Sequence, residues 1–140
     1  MFVLDTNVLS AVMAAKPPPE VAAWMAAQPP DLLFTASVCQ AEILAGIAVM
    51  PKGRRRDGLQ IAAMALFRED FVGRVLPFDA DAVTVYADLF AARRRSGRPA
   101  AMADLIIASV ARARGASIVT RDTAGFEECG LNIVNPWAMP

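Results

Sequence analysis

Met1-Phe2-Val3-Leu4-Asp5-Thr6-Asn7-Val8-Leu9-Ser10 opens the chain: a short apolar run that ends in a carboxylate followed by two small polar residues. Four apolar residues bounded by polar ones suit a strand buried on both faces, as in a parallel sheet. Thr6 or Asn7 is placed to cap a following helix through its side-chain oxygen. Asp5 then stands at the carboxyl end of a strand, where open α/β sheets form their ligand sites. An ordinary helix cap has the same local pattern, so the function of Asp5 depends on partners elsewhere in the chain.

Working outward, residues 7–14 read as a short helix stopped by Lys16-Pro17-Pro18-Pro19, because proline lacks a donor and disfavours helix in the residue before it. A second helix starts at Pro19 and Glu20, puts Val21, Trp24 and Met25 on one face, and closes at Pro29-Pro30. Leu32-Leu33-Phe34-Thr35 is another short apolar run, and Ser37-Val38-Cys39-Gln40 behind it has the S-x-x-Q form of a capping box. Glu42 falls in the second turn of that helix, among Ala41, Ile43, Leu44, Ala45 and Ile47, where packing gives an acid no reason to be. Residues 54–71 resume the helical pattern and form a hairpin with it.

Val75-Leu76 is a brief strand, and Pro77-Phe78-Asp79 opens a long helix that ends in Arg93-Arg94-Arg95. Residues 101–114 form the next helix, with Asp104 near its start, small residues at Ala108 and Ala111 on the same face, and Gly115 at the C′ position. Ser117-Ile118-Val119-Thr120 is a further buried strand. Arg121-Asp122 follows it directly, repeating the arrangement at Asp5. A helical turn over 123–128, an edge strand over 132–134 and an Asn135-Pro136-Trp137 tail that packs down through the indole complete the chain. Strands alternating with helices through short connections predict an α/β fold, a three-layer α/β/α sandwich on a short, mostly parallel sheet. Residues 1–140 are expected to form a single domain.

Composition narrows the chemistry. Apolar residues make up 56% of the chain, which suits a well-cored globular protein. No apolar run reaches the length of a membrane span, and the N-terminus lacks the features of a signal peptide, so the expected location is the cytoplasm. Cys39 and Cys129 are too few for a disulfide framework and read as small buried hydrophobes. The chain contains no histidine. That removes the usual general base, the Ser-His-Asp and Cys-His arrangements, and zinc sites built on imidazole. Chemistry must run on carboxylates, hydroxyls, amines or a metal held by oxygen.

Two acids end strands, Asp5 and Asp122, and two more, Glu42 and Asp104, lie near the starts of helices. In a βαβ arrangement all four converge on the carboxyl edge of the sheet. Two carboxylates about 4 Å apart repel by about 4 kcal/mol at an effective dielectric of about 20, so such a cluster needs a cation or a proton. Oxygen ligands without histidine or thiolate select Mg²⁺ or Mn²⁺. An ion so held activates water and neutralises charge on a phosphodiester, which points to metal-assisted phosphodiester hydrolysis. Thr6, Asn7 and Thr120 are then the groups that hydrogen-bond the carboxylates from behind.

Asp5-Thr6-Asn7, Glu42, Ala103-Asp104 and Thr120-Arg121-Asp122, in this order, resemble the PIN domain, in particular the VapC and FitB type of toxin ribonuclease. The resemblance runs the length of the chain, and Asn135-Pro136-Trp137 is similar to the FitB branch. It implies a Mg²⁺- or Mn²⁺-dependent endoribonuclease, the toxin of a type II toxin-antitoxin module. It also implies a homodimer held inactive by a cognate antitoxin that binds operator DNA. Asp5, Glu42, Asp104 and Asp122 become the catalytic, metal-binding carboxylates. Some relatives carry a further acid just after the fourth. Here Thr123, Ala124 and Gly125 follow, which leaves the number of ions at one or two.

Two other classes compete. A phosphatase forming an aspartyl-phosphate needs a second acid two residues after the first, and Asn7 occupies that place. A regulatory subunit that keeps the fold but does no chemistry, acting through a protein or DNA-binding partner, is the alternative. The full set of four acids counts against it. The arginine runs at 54–56 and 93–95 suit either a solvated face or an RNA track.

Overall fold

The computed structural model describes residues 1–138. The opening apolar run is strand β1 (Phe2–Leu4), and it lies in the middle of the sheet. Around it stand β2 (Leu33–Ala36), β3 (Val75–Leu76), β4 (Ser117–Val119) and β5 (Ile133–Val134), in the order β3-β2-β1-β4-β5. Every neighbouring pair is parallel, and Val3 lies opposite Phe34 on one side and Ile118 on the other. Val3, Leu4, Ile118 and Val119 are fully buried, as a strand covered on both faces requires.

The helices are α1 (Thr6–Met13), α2 (Pro19–Ala27), α3 (Ser37–Ala48), α4 (Arg54–Ala65), α5 (Ala80–Arg95) and α6 (Met102–Ala113). Parallel crossovers are right-handed, so the chain passing from β1 through β2 to β3 lays α1 to α4 on one face of the sheet. The return from β3 to β4 lays α5 and α6 on the other. The packing agrees: α1 touches α2, α3 and α4, while α5 packs chiefly on α6. α6 is the most buried helix, with Leu105, Ile107, Ala108, Val110 and Ala111 turned into the core. Gly115 takes φ +65°, and the amides of Gly115 and Ala116 return to the carbonyls of Arg112 and Ala111, a Schellman stop at the position glycine marks. Phe2 meets Trp24 edge-on at 5.2 Å, which fastens α2 to the sheet.

Four local expectations are corrected. Asp5, not Thr6 or Asn7, is the N-cap of α1, its carboxylate accepting the Thr6 amide. The S-x-x-Q capping box is absent. Ala36 still pairs with Leu76 in the sheet, so the backbone stays extended one residue further and Ser37 falls inside α3 rather than at its cap. The helix expected over 54–71 is regular only to Ala65. Residues Leu66–Asp70 widen into a π-turn closed by the Phe71 amide on the Leu66 carbonyl, which turns Leu66, Phe67 and Phe71 into the core together. The run 93–95 is not uniformly solvated. Arg93 is 6% exposed, and its guanidinium donates to the carbonyls of Arg98 at 2.8 Å and Glu127 at 2.7 Å.

Candidate active site

The carboxyl ends of β1 and β4 lie side by side, because the Asp5 amide bonds the Val119 carbonyl at 2.9 Å. Asp5 is only 6% exposed, and three donors hold it. The Thr6 amide reaches Oδ1 at 2.7 Å, the Thr120 hydroxyl reaches Oδ2 at 2.8 Å, and the Asn7 amide nitrogen reaches Oδ2 at 3.3 Å. Burial raises the Asp5 carboxyl above the usual range. The Thr120 and Thr6 bonds oppose that rise, and the charges on Glu42 and Asp122 add to it.

Thr120 is fully buried and links the two strand ends. Besides donating to Asp5, its oxygen accepts from the Asn7 side chain at 3.2 Å and from the Asp122 amide at 3.0 Å. Asn7 completes the link by accepting the Arg121 amide at 3.2 Å. Thr6, whose amide serves Asp5, donates its hydroxyl to Glu42 Oε1 at 2.8 Å, drawing the exposed α3 acid toward α1. Thr6, Asn7 and Thr120 therefore all bond acids directly or through one another.

Asp104 stands in the first turn of α6, half-buried. Burial, then the charges on Asp5, Asp122 and Glu42, push its carboxyl up to about 6, with Arg93 opposing. Asp122 is exposed beyond β4. Asp104 Oδ2 and Asp122 Oδ2 flank Gly125, where an added Cβ would lie 3.1 Å from each. All four acids are thus at one edge of the sheet, where the charges on Glu42 and Asp122 reach both Asp5 and Asp104. Among the described residues, no three acids are drawn together into a ready-made cage for an ion.

The donor set fits a hard divalent cation. Carboxylates that repel one another gain from an ion between them, and Gly125 leaves free the space that two of them face. Mg²⁺ ordinarily takes one or two carboxylates and keeps its remaining water, so a wide cluster suits it better than a tight one. A groove of about 790 Å³ opens beside this edge between α1, α3 and α4, with Thr6 and Glu42 at one end and Arg54 and Arg55 on its rim.

The sequence pattern that defines the PIN domain matches residues 2–130. The chain belongs to the PIN-domain family. Within that family it is 44% identical to a VapC ribonuclease of Sinorhizobium fredii, over 98% of each chain. It is 30% identical to the toxin FitB of Neisseria gonorrhoeae, over 98% of this chain and 99% of that one. The structure of FitAB bound to a DNA fragment contains a chain that superposes with a TM-score of 0.92 at 29% identity, covering 100% of this chain and 98% of that one. This PIN domain is therefore of the VapC and FitB type, as the four acids and the closing Asn135-Pro136-Trp137 suggested.

Two features of the site were not read from the sequence. Gly125 is one of three non-acidic residues after Asp122, and no sequence pattern marks that its missing side chain keeps space beside Asp104 and Asp122. Nothing local distinguishes Arg93 from its neighbours in the arginine run. Its partners are carbonyls brought by the loop before α6 and the turn after Asp122.

Proposed function

We propose that this protein is a Mg²⁺- or Mn²⁺-dependent endoribonuclease, the toxin of a type II toxin-antitoxin module, acting in the cytoplasm as a single PIN-like domain over residues 1–140. The observation that carries this is the gathering of four acids at one sheet edge, where the charges on Glu42 and Asp122 help to raise the carboxyls of Asp5 and Asp104 and Gly125 leaves room between Asp104 and Asp122. Relatives named VapC ribonuclease and toxin FitB support it.

In this reading the cluster of Asp5, Glu42, Asp104 and Asp122 would hold one or two ions, and a bound ion would supply Lewis acidity and a water of lowered pKa for attack on an RNA phosphodiester. The chain's own residues supply order. Thr120 and Asn7 fix the Asp5 carboxylate in one orientation, so it need not reorganise when substrate arrives. Thr6 holds Glu42 from the α1 side. With its carboxyl near 6, Asp104 is ionised at neutral pH and available to a cation.

The partner in this reading is a cognate antitoxin that binds operator DNA. One solved relative is a structure of FitAB bound to a DNA fragment. The groove between α1, α3 and α4 would seat an apolar antitoxin segment, and its end at Thr6 and Glu42 brings the occupant to the acids. A homodimer of the toxin completes the assembly.

The test is cleavage of single-stranded RNA by purified protein with Mg²⁺ or Mn²⁺, beside Asp5→Asn and Asp104→Asn. Cleavage by wild type and its loss in both variants is the expected result. Equal cleavage by all three would mean contamination and end the ribonuclease reading.

A further inference from the structure

Asn135-Pro136-Trp137 has no part in the acid cluster, yet it ends close to it. The Asn135 side chain accepts the Trp137 amide at 3.0 Å, and buried Pro136 starts a short 3₁₀ turn that sets the indole half-buried against the core. Because β4 and β5 are parallel neighbours, the residues after each emerge at the same edge, the one that carries the acids. There the Arg121 guanidinium lies over the Trp137 ring at 5.3 Å.

Arg121 precedes Asp122 and is exposed, yet among the described residues it forms no ion pair with any of the four acids. Other arginines have partners: Arg93 holds carbonyls, Arg98 pairs with Glu127 and Glu128, and Arg114 pairs with Asp79. The Arg121 backbone is itself fixed by Asn7. A planar cation engaged with an aromatic ring keeps its N–H donors, which match two oxygens of a phosphate.

We propose that Arg121, braced by Trp137, binds a backbone phosphate of RNA next to the bond that is cut. The proposal rests on the ribonuclease reading. An anionic strand approaching four carboxylates needs a cation at the rim, and Arg121 is the arginine in the strand-end segment that carries the acids. Its role is binding, and it acts equally on any sequence, since a phosphate carries no base information.

The test compares wild type with Arg121→Ala and Arg121→Lys in steady-state cleavage of a short single-stranded RNA at saturating Mn²⁺. Arg121→Ala raises KM about tenfold, as loss of one charge-assisted contact does, and leaves kcat and Tm near wild type. Arg121→Lys, which keeps charge but loses the bidentate fork, falls between. Binding of labelled RNA to Asp5→Asn, with and without Arg121→Ala, shows a salt slope smaller by about 0.7 in the double variant. Trp137→Leu shifts KM in the same direction and less. Equal KM in wild type and Arg121→Ala would overturn this proposal and leave the ribonuclease reading standing. Absence of both cleavage and RNA binding in wild type would overturn both.

Discussion

Replacing Asp104 by Asn stabilises the metal-free protein at neutral pH and weakens its response to Mn²⁺. Burial, reinforced by Asp5, Asp122 and Glu42, moves the Asp104 carboxyl from 3.8 to about 6. Tenfold in proton affinity corresponds to about 1.4 kcal/mol, so the displacement taken whole corresponds to about 3 kcal/mol. Asp104 is only half-buried, and screening by solvent together with the favourable helix dipole in the first turn leaves about 1 kcal/mol. Proton binding gives the sign. From about pH 4 to about pH 6 the folded chain keeps a proton that the unfolded chain releases, so wild-type stability falls as pH rises through that window and is level above it. The amide of the Asp104→Asn variant carries no charge and escapes that loss.

For a chain of 140 residues, about 1 kcal/mol moves Tm by about 3 °C. Thermal melts in EDTA at about pH 7.5 should therefore place Asp104→Asn about 3 °C above wild type, with the gap closing near about pH 4. Mn²⁺ at about ten times its Kd stabilises wild type by about 1.4 kcal/mol through linkage and reverses the order. A variant that melts at or below wild type in EDTA at neutral pH would refute the claim that the acids repel. Equal Mn²⁺ shifts in both proteins would refute the shared ion.

Gly125→Ala puts a Cβ 3.1 Å from carboxylate oxygens of Asp104 and Asp122, which must give way; half-saturation by Mn²⁺ should rise several-fold while Tm in EDTA moves little, and unchanged Mn²⁺ affinity would show the space is not used. Thr120→Val removes a fully buried hydroxyl shared by Asp5, Asn7 and the Asp122 amide, and urea denaturation should record a loss of about 2 kcal/mol. Arg93→Met strands the carbonyls of Arg98 and Glu127 and should cost about 3 kcal/mol. Arg98→Ala breaks only half-exposed ion pairs with Glu127 and Glu128 and should cost under about 1 kcal/mol. Equal losses in these two arginine variants would show that Arg93 is not the buried clamp.

What was legible in the sequence was what short range decides. An apolar run ending in Asp identifies a buried strand and its tip, and Val3, Leu4, Ile118 and Val119 are buried on both faces. Glu42 stood out because it breaks an apolar helical pattern, and it meets Thr6 across α1 and α3. What was not legible depends on partners far along the chain. Ala36 stays extended because Leu76 pairs with it, so the start of α3 is shifted by a contact no local pattern contains. The π-turn at Leu66–Asp70 follows from the need to bury Leu66, Phe67 and Phe71 together. Arg93 reads like its neighbours because its partners, a loop carbonyl and Glu127 O, arrive only when α5, α6 and the turn after Asp122 have packed.

The place of the acid cluster follows from the strand order. From β1 the chain steps outward to β2 and β3, then returns across the sheet to β4 on the other side of β1. The connections that leave the tips of β1 and β4 therefore run to opposite faces, and a crevice opens where they part. Asp5 and Asp122 line it from the strands, while Glu42 on α3 and Asp104 on α6 wall it from the two helical layers. Placing several carboxylates there is costly for folding alone, since burial and repulsion both raise the carboxyls of Asp5 and Asp104. The hydrogen bonds from Thr6, Thr120 and Asn7 offset only the part that falls on Asp5. Among the described residues no hydrogen-bond donor reaches the Asp104 carboxylate, so burial and repulsion there are opposed only by the more distant charge of Arg93.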